Sequence, residues 1–440
     1  MQMSRREFLG MSIAPVVATA ALGSGRALAS AMEAANGATG TARQLARDED
    51  FWFEIAQAFT VDRSIVNLNN GGVSPAPAWV QEAQKRHLDV ANSLPPPHAL
   101  WRVQQKQAEG VRQRLGRTFG VDAEEIAITR NASEGLQILQ FGFDLEPGDE
   151  VLCNSQDYPR MINTFRQRER REGIRLVQFP LPVPTDDPTE VVRLYEEHIT
   201  PRTRMILVSH VVFVTGAVLP VGEIVAMARR YNGGIPVLID GAHALAHLDF
   251  KIGDLACDYY ATSLHKWLFA PHGTGLLYVR RERIPGVWPL MAASETQDDD
   301  IRKFEEIGTH PFAQTLAIGE ALTFYESIGA ERKAARMRHL REYWTDRLLA
   351  HDRVVLLTPT GEGRSCGIAT FAVEGVDPGR LAGHLWNEHR ILVTSVDYGE
   401  MDGRGGVRGV RVSPSVYTTR DELDRFCDAV GVVIREGLPS

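Results

Sequence analysis

The stretch "PVLIDGAHALAHLDFKIGDLACDYYATSLHKW", residues 236–267, holds two short apolar runs, each of which ends on polar side chains. The first closes on Asp240; the second, "DYYATS" at 258–263, hands over to His265, Lys266 and Trp267. Apolar runs of this length without alternation suit strands buried on both faces, as in a parallel sheet. The pattern recurs in "EEIAIT" (124–129), "DEVLCNS" (149–155), "IRLVQFP" (174–180), "RMILVSHVV" (204–212) and "GLLYVR" (275–280), and together with 235–240 and 258–263 these make seven strands. Between them, "SEGLQILQFGF" and "VGEIVAMARRYNG" carry the i, i+3, i+4 spacing of helices. The expectation is an α/β fold in which helices wrap a seven-stranded, mainly parallel sheet and a ligand binds beyond the carboxyl ends of the strands.

Four polar features fall at such ends. Asp240 either caps the following helix or faces a protonated pyridine nitrogen. Lys266 either snorkels to solvent or, with its pKa lowered by burial, serves as an amine that forms an imine. The turn "TRNASEGL", residues 129–136, offers free backbone amides and the Ser133 hydroxyl to a phosphate, or else is an ordinary N-cap made by Ser133 or Asn131. Arg411 in "VRVSPSVYTTRDELDRF" forms a structural ion pair or holds a carboxylate in its planar fork, with Arg102 in "PPHALWR" as a second contact to substrate.

Asp240 in "DGAHA", Lys266 in "SLHKW" and Arg411 in "RVSPSVYTTRDEL" together resemble the class-V aminotransferase family of pyridoxal 5'-phosphate (PLP) enzymes, fold type I, over roughly residues 55–435. The resemblance implies that Lys266 carries the cofactor, that Asp240 keeps its ring nitrogen protonated and that His243 approaches its ring oxygen. It places Ser263, His265, Ala132 and Ser133 at the phosphate and Tyr158 in "QDYPR" against the ring. Gly308 and Thr309 in "FEEIGTHP" (304–311) would reach the phosphate of a neighbouring subunit, which implies a homodimer.

The segments "LNNGGVSP" and "SHVVFVTGAVLPV" look closest to the isopenicillin-N-epimerase-like branch, although Phe213 stands where a small or amide residue is common. Residues 395–410, "SVDYGEMDGRGGVRGV", contain no cysteine, whereas desulfurases of this family need one in the loop ahead of the carboxylate arginine. Two alternatives are a periplasmic siderophore-peptide tailoring enzyme of the pyoverdine type and a non-catalytic pyridoxal-binding carrier. The presence of both Lys266 and Arg411 argues against the carrier. No G-x-G-x-x-G follows an early strand, which argues against a dinucleotide-dependent dehydrogenase.

Outward from this centre, "SRREFLG" precedes a short apolar run and an A-x-A type site at Ala27 and Ala29. Arg5 and Arg6 resemble a twin-arginine export signal, so residues 1–29 are expected to be a signal peptide for the twin-arginine machinery and the mature protein to be periplasmic. Residues 30–50, small and polar, are expected to be a linker, followed by a large PLP-binding domain over 51–300 and a smaller α+β domain over 301–440. The latter is expected to hold one long helical stretch (315–351), the strands "RVVLLTP", "GIATFAV" and "GVRVSP", and a closing helix "TRDELDRFCDAVGVVI". "SLPPPHALWR" (93–102) reads as a proline-rich loop and "RQRERREGIR" (166–175) as a solvated helix face. The net charge of −8 gives no sign of a nucleic-acid partner, and four dispersed cysteines without a C-x-x-C pair argue against a disulfide framework and a zinc site.

Overall fold

The seven apolar runs form one sheet. A computed structural model describes residues 29–231 and 233–439, so the expected export signal lies outside the described residues except for Ala29. After a two-residue strand β1 (Val66–Asn67), the sheet strands are β2 (Ile126–Thr129), β3 (Glu150–Asn154), β4 (Arg175–Phe179), β5 (Thr203–Ser209), β6 (Val237–Asp240), β7 (Tyr259–Ser263) and β8 (Gly275–Val279). Their spatial order is β2-β8-β7-β6-β5-β3-β4, and only β8 runs antiparallel to its neighbours. Every residue of β3, β6, β7 and β8 is buried, as their unbroken apolar character requires. Strand β4 departs from that expectation: it is an edge, and Arg175 is exposed.

Helix Ala132–Gly142 lies close on this sheet because Gly135 has no side chain; a Cβ there would sit 3.0 Å from the Ala261 Cβ of β7. The close approach brings the helix's amino end to the carboxyl ends of β6 and β7.

A second sheet, β12-β13-β10-β9, is antiparallel throughout and is built from β9 (Val354–Leu356), β10 (Ala369–Val373), β12 (Thr394–Tyr398) and β13 (Val407–Val412). Its core sets Trp344 edge-on to Phe371 and Phe426, on a helix, the sheet and the closing helix Arg420–Glu436. The short strand β11 (Ile391–Leu392) pairs in parallel with β1, so the start of the folded chain is strung onto its end.

Several expectations need correction. The helical stretch over 315–351 is two helices, Phe312–Ile328 and Ala330–Leu348, broken at Gly329, whose φ of 89° a right-handed helix cannot accommodate. Residues 30–50 are not a linker. Residues 29–37 are helical with Ala31 and Ala35 buried, and helix Ala42–Leu45 is closed by a Thr41–Gln44 capping box. Arg336 ties this segment down through the Ala46 carbonyl and Glu49. The expected loop at 93–102 becomes π-helical from His98 and runs into helix Gln105–Phe119. In the charged run, Arg168 is buried and donates to the Gln140 and Phe143 carbonyls rather than facing water. All four cysteines are free and buried.

Candidate active site

Strand ends and a helix start converge on a cavity of about 390 Å³ lined by Ser133, Tyr158, Asp240, His243, Ser263 and Lys266, among others. Asp240 ends β6 beside Ser209, the last residue of β5. One of its oxygens accepts the Ala242 N–H at 3.0 Å. Burial raises its pKa, while that N–H and the Lys266 charge pull it back. Lys266 stands on the single helical turn Leu264–Trp267 that follows β7. Desolvation pushes its pKa down to about 8 against the pull of Asp240, with Arg411 adding to the fall. Its Nζ lies 3.0 Å from His243 Nε2. His243 is neutral, held well below the usual histidine range by burial and by the nearby Lys266 and Arg411. Its Nδ1 is buried without a partner.

At the other end of the cavity the Ser263 hydroxyl accepts the Ala132 N–H at 3.0 Å, and the Asn131 side chain caps the helix through the Glu134 N–H. Gly275 of β8 makes room for this turn, since a Cβ would fall 2.6 Å from the Asn131 Cα. Glu134, which would otherwise place a negative charge at the helix start, is folded back onto Arg130. His265 gives Nδ1 to the Thr274 carbonyl at 3.0 Å, leaving Nε2 free, and burial first, with Lys266 second, pushes its pKa down to about 4.

Arg411 sits on β13 with its guanidinium buried, donating to the Phe213 carbonyl at 3.0 Å and to Asn69 Oδ1 at 2.9 Å. Its Nε has no partner, and among the described residues no carboxylate pairs with it. Burial therefore pushes its pKa down to about 10. Tyr158 meets the Phe213 ring edge-on at 5.3 Å, and Phe213 meets Tyr398 at the same distance.

Of the residues singled out in the sequence, Ala132, Ser133, Tyr158, Asp240, His243, Ser263, His265 and Lys266 line one cavity, with Arg411 directly behind Phe213. Three are not brought there. Arg102 is exposed on the π-helical turn, directed to solvent by that helix, and Gly308 and Thr309 are exposed on a loop outside the cavity of their own chain. Two residues escaped notice in the sequence. Asp157 accepts four hydrogen bonds, from Asn154 N and Nδ2 and from Ser209 N and Oγ, and so fixes the turn before Tyr158. Burial, reinforced by Asp240, pushes it up to about 7. Arg160 lines the cavity mouth with no carboxylate partner among the described residues. The polar run "NSQDYPR" at the end of a strand is the one signal that could have pointed to both.

The chain matches the family model "Aminotransferase class-V" over residues 66–426. It is 30% identical over 407 residues to isopenicillin N epimerase of Streptomyces clavuligerus, covering 88% of this chain and 99% of that one. It is 29% identical over 388 residues to a probable cysteine desulfurase of Halobacterium salinarum, covering 83% and 91%. Among solved structures, the cystine C-S lyase C-DES in complex with its product cysteine persulfide superposes with a TM-score of 0.73 at 25% identity, over 84% of this chain and 97% of that one. A form of C-DES with glycine covalently linked to its PLP cofactor gives 0.74 at 25% identity, over 83% and 96%.

Proposed function

The chain belongs to the class-V aminotransferase family, and from that premise we propose that it moves a proton at the α carbon of an amino acid or peptide, on the isopenicillin-N-epimerase-like side of the family. It is a PLP-dependent enzyme of fold type I, which removes the non-catalytic carrier from consideration. The cavity fits that cofactor. It presents a lysine amine poised near neutrality, a strand-terminal carboxylate, and at the opposite end the hydroxyls of Ser133 and Ser263 with no acceptor of their own. The orphaned His243 Nδ1 shows that the polar lining is incomplete within the protein alone.

Each residue then has a task that follows from its surroundings. Asp240 would hold a proton on the ring nitrogen, and Ala132, Ser133, Ser263 and His265 would receive the phosphate; His265 gives its Nδ1 proton to the Thr274 carbonyl, so its Nε2 donates to the phosphate only when the ring is an imidazolium. Bound there, PLP supplies an electron sink for charge released at the α carbon. Arg411, buried with no carboxylate of its own, would take the substrate carboxylate. Lys266, whose pKa burial lowers to about 8, would hold or release the α proton with His243 alongside.

The observation that carries the epimerase-side reading is the strand Thr394–Tyr398. Where a desulfurase would carry a cysteine loop, Tyr398 donates to the Asp157 carbonyl at 2.9 Å and packs on Phe213; none of the four cysteines lines the cavity. The test is incubation of holoenzyme in deuterated water with a panel of amino acids and siderophore peptides, followed by mass spectrometry. Deuterium at the α carbon with inversion, or conversion of the amino donor to its 2-oxo acid, is expected; release of persulfide sulfur from cysteine would overturn the reading.

The same proposal extends to assembly and location. The exposed Gly308–Thr309 loop suits a contact with a partner's phosphate site in a homodimer, and a monomer that retains full cofactor occupancy in light scattering would refute it. Residues 1–29 would direct export through the twin-arginine machinery to the periplasm. Retention in the cytoplasm of a fusion carrying Arg5→Lys and Arg6→Lys, against export of the unaltered one, is the check.

A further inference from the structure

Among the buried titratable residues beside the site that the mechanism leaves unused is His247, seven residues past Asp240. Its ring makes three contacts to three separate segments. Nδ1 lies 2.9 Å from the carbonyl oxygen of His243, and Nε2 accepts the backbone N–H of Gly367 at 2.9 Å. The ring also overlaps the indole of Trp267, with centroids 3.9 Å apart and planes 31° from parallel.

The Gly367 N–H can only point at a bare nitrogen, so His247 is neutral and carries its proton on Nδ1, where it donates to His243. Burial pushes its pKa down to about 3, with Lys333 and Arg338 of the helix behind it opposing any positive charge. The place of Gly367 is equally constrained: a Cβ there would stand 2.8 Å from His247 Nε2 and 2.9 Å from the Met337 Cβ. His247 thus holds the main chain of His243 and the side chain next to Lys266, the two residues whose nitrogens meet at 3.0 Å.

We propose that His247 is a positioning residue that sets the Lys266–His243 contact and fastens it to the C-terminal lobe through Gly367. The link runs from β10, which begins two residues after Gly367, through His247 and His243 to the amine of Lys266, and His247 itself does not line the cavity. The inference rests on Lys266 as the cofactor-bearing lysine.

The two hydrogen bonds can be separated. His247→Asn keeps a donor near the Nδ1 position and loses the Gly367 bond; His247→Gln keeps an acceptor near the Nε2 position and loses the His243 bond. Holoenzyme is titrated with pH, and the midpoint of the absorbance change of the lysine-linked cofactor is read. That midpoint reports the groups facing Lys266, namely Asp240, His243, His265 and Arg411. Each variant is expected to shift the midpoint by about half a unit and His247→Leu by about a unit, with kcat lowered and KM for the amino acid unchanged. Unshifted midpoints in folded variants would overturn the proposal. Where His247 variants fail to fold, Trp267→Phe, which reduces the ring overlap and keeps the core filled, decides: an unmoved midpoint overturns it. Borohydride reduction with peptide mapping accompanies each titration. An adduct on another lysine overturns the Lys266 assignment and this inference together, whereas an adduct on Lys266 with unshifted midpoints overturns this inference alone.

Discussion

Two buried arginines show how differently one chain treats the same side chain. Arg112, on helix Gln105–Phe119, spreads its guanidinium over Glu109, Glu305 and the Ile126 carbonyl. Burial opposes its charge, but the carboxylates of Glu305 and Glu109 outweigh that and raise its pKa. Arg411 is as deeply buried, yet it has a carbonyl and an amide oxygen for partners, a bare Nε, and a pKa pushed down to about 10. A cation whose donors are all answered belongs to the structure; one left short of an anion has a vacancy for a ligand to fill.

The largest effect should come from the satisfied member. Arg112→Met leaves Glu305 without its counter-charge, while Glu109 keeps Arg302, and is expected to cost about 3–5 kcal/mol in urea unfolding; a loss under about 1 kcal/mol would break the distinction. Arg411→Lys, by contrast, should leave unfolding unchanged and weaken amino-acid binding by roughly 1.5–3 kcal/mol, read by absorbance titration of the holoenzyme. Unchanged affinity there would mean that the carboxylate is held elsewhere, or that the substrate is a peptide whose reacting residue has no free α-carboxylate. Gly135→Ala should cost about 1 kcal/mol of stability and weaken PLP binding, because the added methyl lifts the phosphate-facing helix end off β7; equilibrium dialysis measures the second effect. The smallest is a slope. The folded pKa of Lys266 lies below the ordinary lysine range, so above about pH 8 the unfolded chain binds the extra proton and stability contributed by this group rises with pH. In apo protein, melting curves of Lys266→Met should lack that rise; identical slopes would show that the amine is not desolvated.

The strands were legible because most of their residues are buried, and six of the seven runs contain their strand while the seventh, 204–212, misses only Thr203. Strand Thr394–Tyr398 was not, since it alternates between exposed and covered positions and carries little apolar signal. The segment before residue 50 misled for a related reason: alanines bury little area each, so a small-residue helix reads as coil until its partners are known. At the site, Asp240 and Lys266 were readable from strand ends, whereas Asp157 and His247 act through main-chain groups of distant segments. Arg102 matched a residue type without a place, and its helix turns it to water.

The parallel pairing of β1 with β11, continued by the bridge between Asn69 and Ser413, has a consequence for how the protein is made. Asn69, which holds Arg411, is 342 residues from it in the chain. Closing so long a loop is entropically costly and slow, and nothing local rewards it beforehand. While the ribosome is still adding residues, the seven-stranded sheet can assemble and Lys266 can reach its turn, but the contact of Arg411 with Asn69 and Phe213 does not yet exist. Maturation of the cavity is therefore a late step of biosynthesis, and a nascent chain that collected PLP early would hold it in a half-built site.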